Sequence, residues 1–326
     1  MYLGIDFLLT QALRLYVVEV NVGLPGGAHE YNLTHLVHLG KPSDIFSRIE
    51  ATSQRVYGKP FREYLHSLPF IENLKVLKLW MDGMGPYPST FHPGLRLEDK
   101  WIQYNLLKSL APLPETRLLD PENLAEAERF LKDRGRVVFK RRVARGGRGL
   151  QVITRPEGLR TLDPKPNYYL LQEHIESKID GYTLSIRAVA FGGEFMCMYA
   201  NLSTRPNSNH GILAFVSPAS SFGLHQRNFG TQSFNQKSWE AKIWFGDDDP
   251  PYLRHNLYEE EVAETRLHVP RSIDETIKEI SVKIERFYEG IDLTCLPKET
   301  IGKLERLDIL RDLEVFPRNL EVFLRG

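Results

Sequence analysis

The chain has 326 residues, 42% hydrophobic and 26% charged, which is enough apolar side chain for one large composite core or two smaller ones and excludes wholesale disorder. Its 42 basic and 42 acidic side chains cancel, so the general attraction of a basic protein for nucleic acid or an anionic membrane is missing. No apolar run approaches the roughly 20 residues that cross a bilayer, and no basic n-region or cleavage site marks a signal peptide.

The expectation is therefore a soluble cytoplasmic protein, with no nucleic-acid or membrane partner and its oligomeric state left open. Cys197 and Cys295 each lie in an apolar stretch and read as buried thiols of a reducing compartment.

Residues 2–9 and 14–21 are two apolar runs of strand length joined as a hairpin, followed by a loop from Gly23 to Gly27. Residues 43–56 read as helix, and Pro60 separates them from a second short segment. Leu74–Trp80 reads as a strand, and Gly83 to Gly94 as a Gly/Pro-rich connection. From Glu98 the pattern turns helical, with Ile102, Leu106 and Leu110 on one face. Asp120-Pro121 predicts the N-cap and first turn of a helix bearing Leu124, Ala127 and Leu131.

Val137–Lys140 and Leu150–Ile153 read as strands around a glycine loop, and Tyr168–His174 as a further strand. Gly192-Gly193 between Leu184–Phe191 and Glu194–Tyr199 is a two-residue hairpin signal. Residues 217–270 are polar and Pro-containing and read as an insertion or elaborated surface. Ser272 with Glu275 predicts a capping box for a helix with Ile277, Ile280, Ile284 and Phe287. The last thirty residues read as one more helix and a strand. Strands and helices without regular βαβ alternation predict the α+β class.

Three residues of the first hairpin carry possible chemistry. Glu19 and Asn21 are two apart on a strand and share a face. With a turn centred on Ala12-Leu13, Gln11 pairs with Arg14 and Asp6 falls opposite Glu19. Two carboxylates and an amide oxygen on one patch suit a hard cation such as Mg²⁺ or Mn²⁺. A solvated polar hairpin face is the alternative, although Glu19 and Asn21 interrupt an otherwise apolar run.

Lys140 ends an apolar strand, and Gly146, Gly147 and Gly149 follow it. Backbone N–H groups of a glycine loop can approach phosphate closely, and a nearby lysine supplies charge. Taken alone, the segment reads more readily as a basic hairpin turn than as a phosphate cradle. Its arginines, Arg141, Arg142, Arg145 and Arg148, lack the interleaved aromatics of an RNA-binding tract.

Together these segments resemble the ATP-grasp superfamily and specifically its carboxylate–amine ligases, in which ATP lies between two α+β subdomains. Val137-Val138-Phe139-Lys140 with Gly146-Gly147-Arg148-Gly149 is similar to the family's lysine strand and phosphate-covering loop, and Lys100 to its first nucleotide-contacting lysine. Leu171-Gln172-Glu173-His174-Ile175 resembles the hinge strand that meets adenine, and Ser185-Ile186-Arg187 the strand after it. Arg205-Pro206-Asn207 through Gly211 resembles the stretch beside the transferred phosphate, and Gly4-Ile5-Asp6 with Glu19-Val20-Asn21 and Pro25-Gly26 the closing magnesium motif.

In the family that motif comes last, after a helix. Here Tyr2-Leu3-Gly4-Ile5-Asp6 opens the chain, and Tyr288-Glu289-Gly290-Ile291-Asp292 follows the helix at 273–288, as a circular permutation would leave them.

The resemblance implies an ATP-grasp fold whose metal hairpin, residues 1–30, is permuted to the N-terminus. It also implies a reduced region at 31–95, a small subdomain at 96–165, and a large one at 166–326 carrying the 217–270 insertion. It further implies that ATP is held by Lys100, Lys140, Gly146, Gly147, Gly149, Gln172, Glu173, His174, Ile175 and Arg187. Mg²⁺ or Mn²⁺ would be held by Asp6, Glu19 and Asn21, and the transferring phosphoryl stabilised by Arg205 with Lys140. The implied reaction joins a small-molecule carboxylate to an amine through an acyl phosphate. Ser185 stands where many relatives carry an acidic residue, and Asn201 where a second arginine is common. A kinase acting on a hydroxyl, or a nucleotide-binding protein without catalysis, are the alternatives.

Overall fold

The computed structural model describes residues 1–22, 25, 27–28, 30–32, 35, 42–68, 93–142, 150–162, 164, 168–179, 182–203, 211–217, 224–225, 242–245 and 266–296. The predicted strand at 74–80, the connection at 83–92 and the terminal helix and strand at 297–326 lie outside them.

In chain order the elements begin with β1 (Leu3–Leu9), β2 (Leu15–Val22), α1 (Ile45–Tyr57), α2 (Phe61–Ser67), α3 (Lys100–Leu107) and β3 (Thr116–Leu118). Next come α4 (Leu124–Arg134), β4 (Val137–Arg141), β5 (Gln151–Ile153), α5 (Pro156–Arg160), β6 (Tyr169–Glu173) and β7 (Lys178–Ile179). The rest are β8 (Tyr182–Phe191), β9 (Glu194–Ser203), β10 (Gly211–Ser217), β11 (Leu224–His225), β12 (Lys242–Phe245), β13 (Arg266–Val269) and α6 (Arg271–Glu289). The class is α+β. Among the described residues no helix is long and apolar enough to cross a membrane.

Two compact units divide the chain. The first comprises the described residues of 1–64, 107–113 and 175–291, the second those of 65–106, 114–174 and 292–326. β6 thus belongs with β4 in the second unit, whereas the sequence reading drew a boundary at 165.

The first unit holds a nine-stranded sheet with the path β13-β12-β10-β9-β8-β1-β2, from which β11 and β7 branch. Pairing is antiparallel except where β10, β12 and β13 run parallel. Parts of the predicted insertion therefore extend this sheet. Leu3, Ile5, Phe7 and Leu9 are fully buried, and the two-residue period of a strand puts Asp6 on the opposite face.

The turn between β1 and β2 corrects the predicted pairing. Thr10, not Gln11, faces Arg14: the Thr10 amide donates to Arg14 O at 3.0 Å, and the Leu13 amide donates to Thr10 O at 2.8 Å. Leu13 closes the loop with φ 60°, the left-handed conformation that ends a three-residue hairpin loop. The longer loop shifts the register by one, so Phe7 pairs with Val17. A bulge at Val18 shifts it back, and Asp6 pairs with Glu19 as expected.

Gly192 and Gly193 turn β8 into β9 with φ values of 59° and 78°, which matches a turn needing two left-handed residues. A Cβ on Gly192 would lie 2.7 Å from Thr52 Cγ2, whereas on Gly193 it would meet nothing nearer than Arg286 Nε at 3.7 Å. Gly192→Ala is expected to cost about 1–2 kcal/mol. Gly193→Asn should cost less than half as much, since Asn tolerates this conformation. Chemical denaturation of the two variants checks the difference.

Beside this turn Phe191 sits among four rings, Tyr2, Tyr57, Phe61 and Tyr64, with centroids 5.1–5.8 Å away. Glu285 of α6, 1% exposed, accepts from the Gly193 amide at 2.8 Å and pairs with the α-ammonium of Met1.

Two predicted caps are corrected. α4 begins at Leu124, with Asn123 at the N-cap, because the Asp120 side chain closes its own turn by accepting from the Glu122 amide at 2.9 Å. α6 begins at Arg271 with no side-chain cap, and Glu275 faces Arg271 at the surface instead of closing a capping box. Cys197 is buried as expected, but Cys295 is exposed in a short 3₁₀ turn, its thiol 3.2 Å from Asp292 Oδ2.

The second unit is built on the antiparallel sheet β3-β6-β4-β5. Val137, Phe139, Leu171 and Ile153 on one face form a core with Ala127, Phe130 and Leu131 of α4 and Leu159 of α5. Strand alternation then places Lys140 on the face away from this core.

Candidate functional site

In the first unit, Glu19 on β2, Asp6 on β1, Arg187 on β8 and Tyr199 on β9 pair in one row across four strands. Residues directly opposite share a face. Asn21 belongs to the neighbouring row, opposite Gly4 and two residues from Glu19. The three predicted metal ligands therefore meet on one patch, with Arg187 beside them. The Gly27 backbone crosses the same face: its φ is +143°, and a Cβ there would lie 2.6 Å from Val189 Cγ2 and under 4 Å from Arg187 and Tyr199.

Arg187 donates from Nε to Asp6 Oδ1 at 2.6 Å and from Nη2 to Oδ2 at 2.5 Å, a two-pronged ion pair. Asn21 Nδ2 donates to Asp6 Oδ2 at 3.4 Å, which turns its carbonyl oxygen away from the carboxylate. Burial pushes the Asp6 carboxyl up, the Arg187 guanidinium opposes it, and the nearby Glu19 carboxylate adds to the upward push. Burial works against the Arg187 charge, and Asp6 more than compensates.

Among the described residues, Cys197, Tyr199 and Tyr31 near this patch are poor nucleophiles. Burial pushes the Cys197 thiol up, away from the reactive thiolate, and raises the Tyr199 phenol. It also pushes Tyr31 up to about 12. Among the described residues no three His, Cys, Asp or Glu side chains cluster as a metal site; two carboxylates and an amide are what the hairpin brings together.

In the second unit, Lys140 Nζ donates to Gln172 Oε1 at 2.7 Å, and Gln172 Nε2 donates to Thr116 Oγ1 at 2.8 Å. The Thr116 hydroxyl in turn donates to Pro114 O at 3.0 Å. This chain runs through three strands, and all three side chains are buried. It fixes the direction of the lysine stem.

Lys100 opens α3, and its amide donates to Arg142 O at 3.0 Å, one residue past β4. Below it lies an ion pair that sequence reasoning missed. Arg142 and Asp99 are both fully buried, with Arg142 Nη2 to Asp99 Oδ2 at 2.7 Å and Nε within 3.2 Å of both oxygens. Asp99 Oδ1 also accepts from the Trp101 amide at 2.8 Å and so caps α3. Lys100 and Lys140 are thus carried by elements tied together through one buried pair. The sequence presents Arg142 only as one of a basic run, and no local pattern distinguishes it from its neighbours.

Comparison with protein-family models, with curated proteins and with solved structures finds no match to this chain.

The predicted hinge is placed less openly. The Glu173 amide donates to Glu115 O at 2.7 Å and the His174 amide to Arg136 O at 3.2 Å, so both are engaged within the second unit. Glu173 Oε2 accepts from the Glu115 amide at 3.3 Å. Ile175 lies at the point where the chain passes to the first unit. Gly146, Gly147, Gly149 and Arg205 lie outside the described residues, and the backbone of Asn201 pairs with Ser185 and Leu213.

Proposed function

We propose that this chain is an ATP- and magnesium-dependent ligase joining a carboxylate to an amine through an acyl phosphate, like the ATP-grasp enzymes it resembles. The observation that carries this proposal is the antiparallel pairing of β1 with β8, which brings Asp6 to Arg187 across 181 positions of sequence. The N-terminal hairpin thereby joins the strands that the resemblance assigns to the large subdomain. This supports a permuted order of the same parts.

The donor set suits a hard divalent ion, since the Asp6 and Glu19 carboxylates offer oxygen ligands, Asn21 would add its carbonyl oxygen once its amide turns over from Asp6, and phosphate and water could supply the remainder. Such an ion, when bound, supplies positive charge to the phosphate oxygens. Asp6 can serve while Arg187 holds it only at a lone pair the guanidinium leaves open, with the ion then beside a like charge, since an ionised carboxylate accepts at about four positions. Lys140, aimed by Gln172 and Thr116, and Lys100 are assigned to the phosphates, and Arg205 to the transferring phosphoryl.

The substrate carboxylate attacks the γ-phosphorus, the bond to the β–γ bridging oxygen breaks, and ADP leaves. The amine then adds to the acyl carbon and expels inorganic phosphate, losing a proton as the amide forms. The protein's part is positioning and charge neutralisation, consistent with the neutral Cys197 and tyrosines at the first-unit patch.

Incubation with ATP, Mg²⁺ and pooled carboxylates and amines tests this. Inorganic phosphate appearing with ADP and a new amide is expected. A stable phosphorylated product would instead make the chain a kinase, and binding without any ADP formation would remove catalysis. Glu19→Ala is expected to raise the Mg²⁺ concentration for half-maximal turnover by about tenfold or more, measured by metal titration at saturating ATP.

A further inference from the structure

Asp6 and Glu19 are paired carboxylates on adjacent strands, a juxtaposition that is unfavourable unless positive charge lies close by. Arg187 supplies it, gripping both oxygens of Asp6 from the next strand over. The pair is only about one-fifth exposed, so solvent screens it incompletely. A divalent ion taking Asp6 and Glu19 must therefore displace Arg187 from at least part of Asp6, or sit beside a like charge. Either course weakens binding of the ion alone.

The guanidinium has five N–H donors in a fixed fork, and two are spent on Asp6. Once displaced it needs another anion, and a triphosphate entering with the ion is one. We propose that Arg187 stands in for the metal at Asp6 and thereby couples metal binding to nucleotide binding: the site takes a divalent ion poorly alone and well together with a nucleotide. This rests on the metal role proposed above for Asp6 and Glu19, and assigns Arg187 to the timing of metal entry as well as to the nucleotide. Coupling of this kind is reciprocal, so the ion strengthens nucleotide binding by the same factor.

The test uses Mn²⁺ alone as the probe, followed by its free-ion electron paramagnetic resonance signal, on the full chain with and without a non-hydrolysable ATP analogue. The wild type is expected to bind Mn²⁺ at least about tenfold more tightly with the analogue than without. Arg187→Met should bind Mn²⁺ alone about tenfold more tightly than the wild type does, and should gain correspondingly less from the analogue. The variant should also melt at lower temperature in EDTA and recover on Mn²⁺ addition, because the ion then replaces the missing counter-charge; a merely structural arginine gives no such recovery. Arg187→Lys keeps the charge but loses the fork, and is expected to fall between the two. It decides the question if the Met variant fails to fold.

Equal or weaker Mn²⁺ binding by these variants, with normal Mn²⁺–analogue binding by the wild type, overturns the role of Arg187 and leaves the proposed function standing. No Mn²⁺–analogue binding by the wild type overturns both.

Discussion

Replacing Arg142 by Met is expected to destabilise the fold by about 3–5 kcal/mol, because Asp99 then remains buried with no counter-charge. Both side chains are fully buried, so water cannot take over the carboxylate. The cost is thus the penalty of an orphaned charge, larger than the net worth of the pair. The double variant Asp99→Leu/Arg142→Met removes both charges together and is expected to recover most of the loss. What stays lost is the helix cap at the Trp101 amide, about 1 kcal/mol. Urea denaturation of the single and double variants checks this, and a double variant as unstable as the single one would contradict it. The pair matters to the proposed function because it joins the first turn of α3, with Lys100, to the end of β4, with Lys140.

Removing Lys140 itself is expected to have the largest effect on ligand binding. Lys140→Met keeps the aliphatic stem and deletes the ammonium, which should weaken ATP binding by about 10- to 100-fold, in line with the loss of one or two hydrogen bonds to a charged group. Stability should fall by only about 1 kcal/mol, the cost of leaving Gln172 Oε1 without its donor. Gln172→Ala leaves the charge but frees the lysine to wander, so its effect on affinity should be several times smaller. Isothermal titration with ATP and Mg²⁺ separates the three proteins. Unchanged affinity in Lys140→Met would remove the lysine from the nucleotide site.

Much of the local structure was readable from pattern. The alternation of Val137 to Lys140, the paired glycines at 192–193 and the periodicity of Ile277 and Ile284 each mark an element through backbone geometry that depends on few neighbours. The caps were less readable. Asp120 has two local uses for its carboxylate, closing a turn or starting a helix, and its sequence suits both. The hairpin register came out right at Asp6 and Glu19 although the turn was one residue longer than predicted, because the bulge at Val18 offsets the extra loop residue. A polar position fixed by a buried stripe on the other face is robust to such errors, since a slip of one would bury the acids.

Sequence alone thus established that Asp6, Glu19 and Asn21 share one face, since strand periodicity is a short-range property of the backbone. It could not show Arg187 gripping Asp6, Gln172 aiming Lys140, or Asp99 neutralising Arg142. These contacts join strands and helices 32 to 181 positions apart. Charges so separated in the chain become partners only when sheet pairing and burial bring them together, where low polarity makes the choice of partner costly to change.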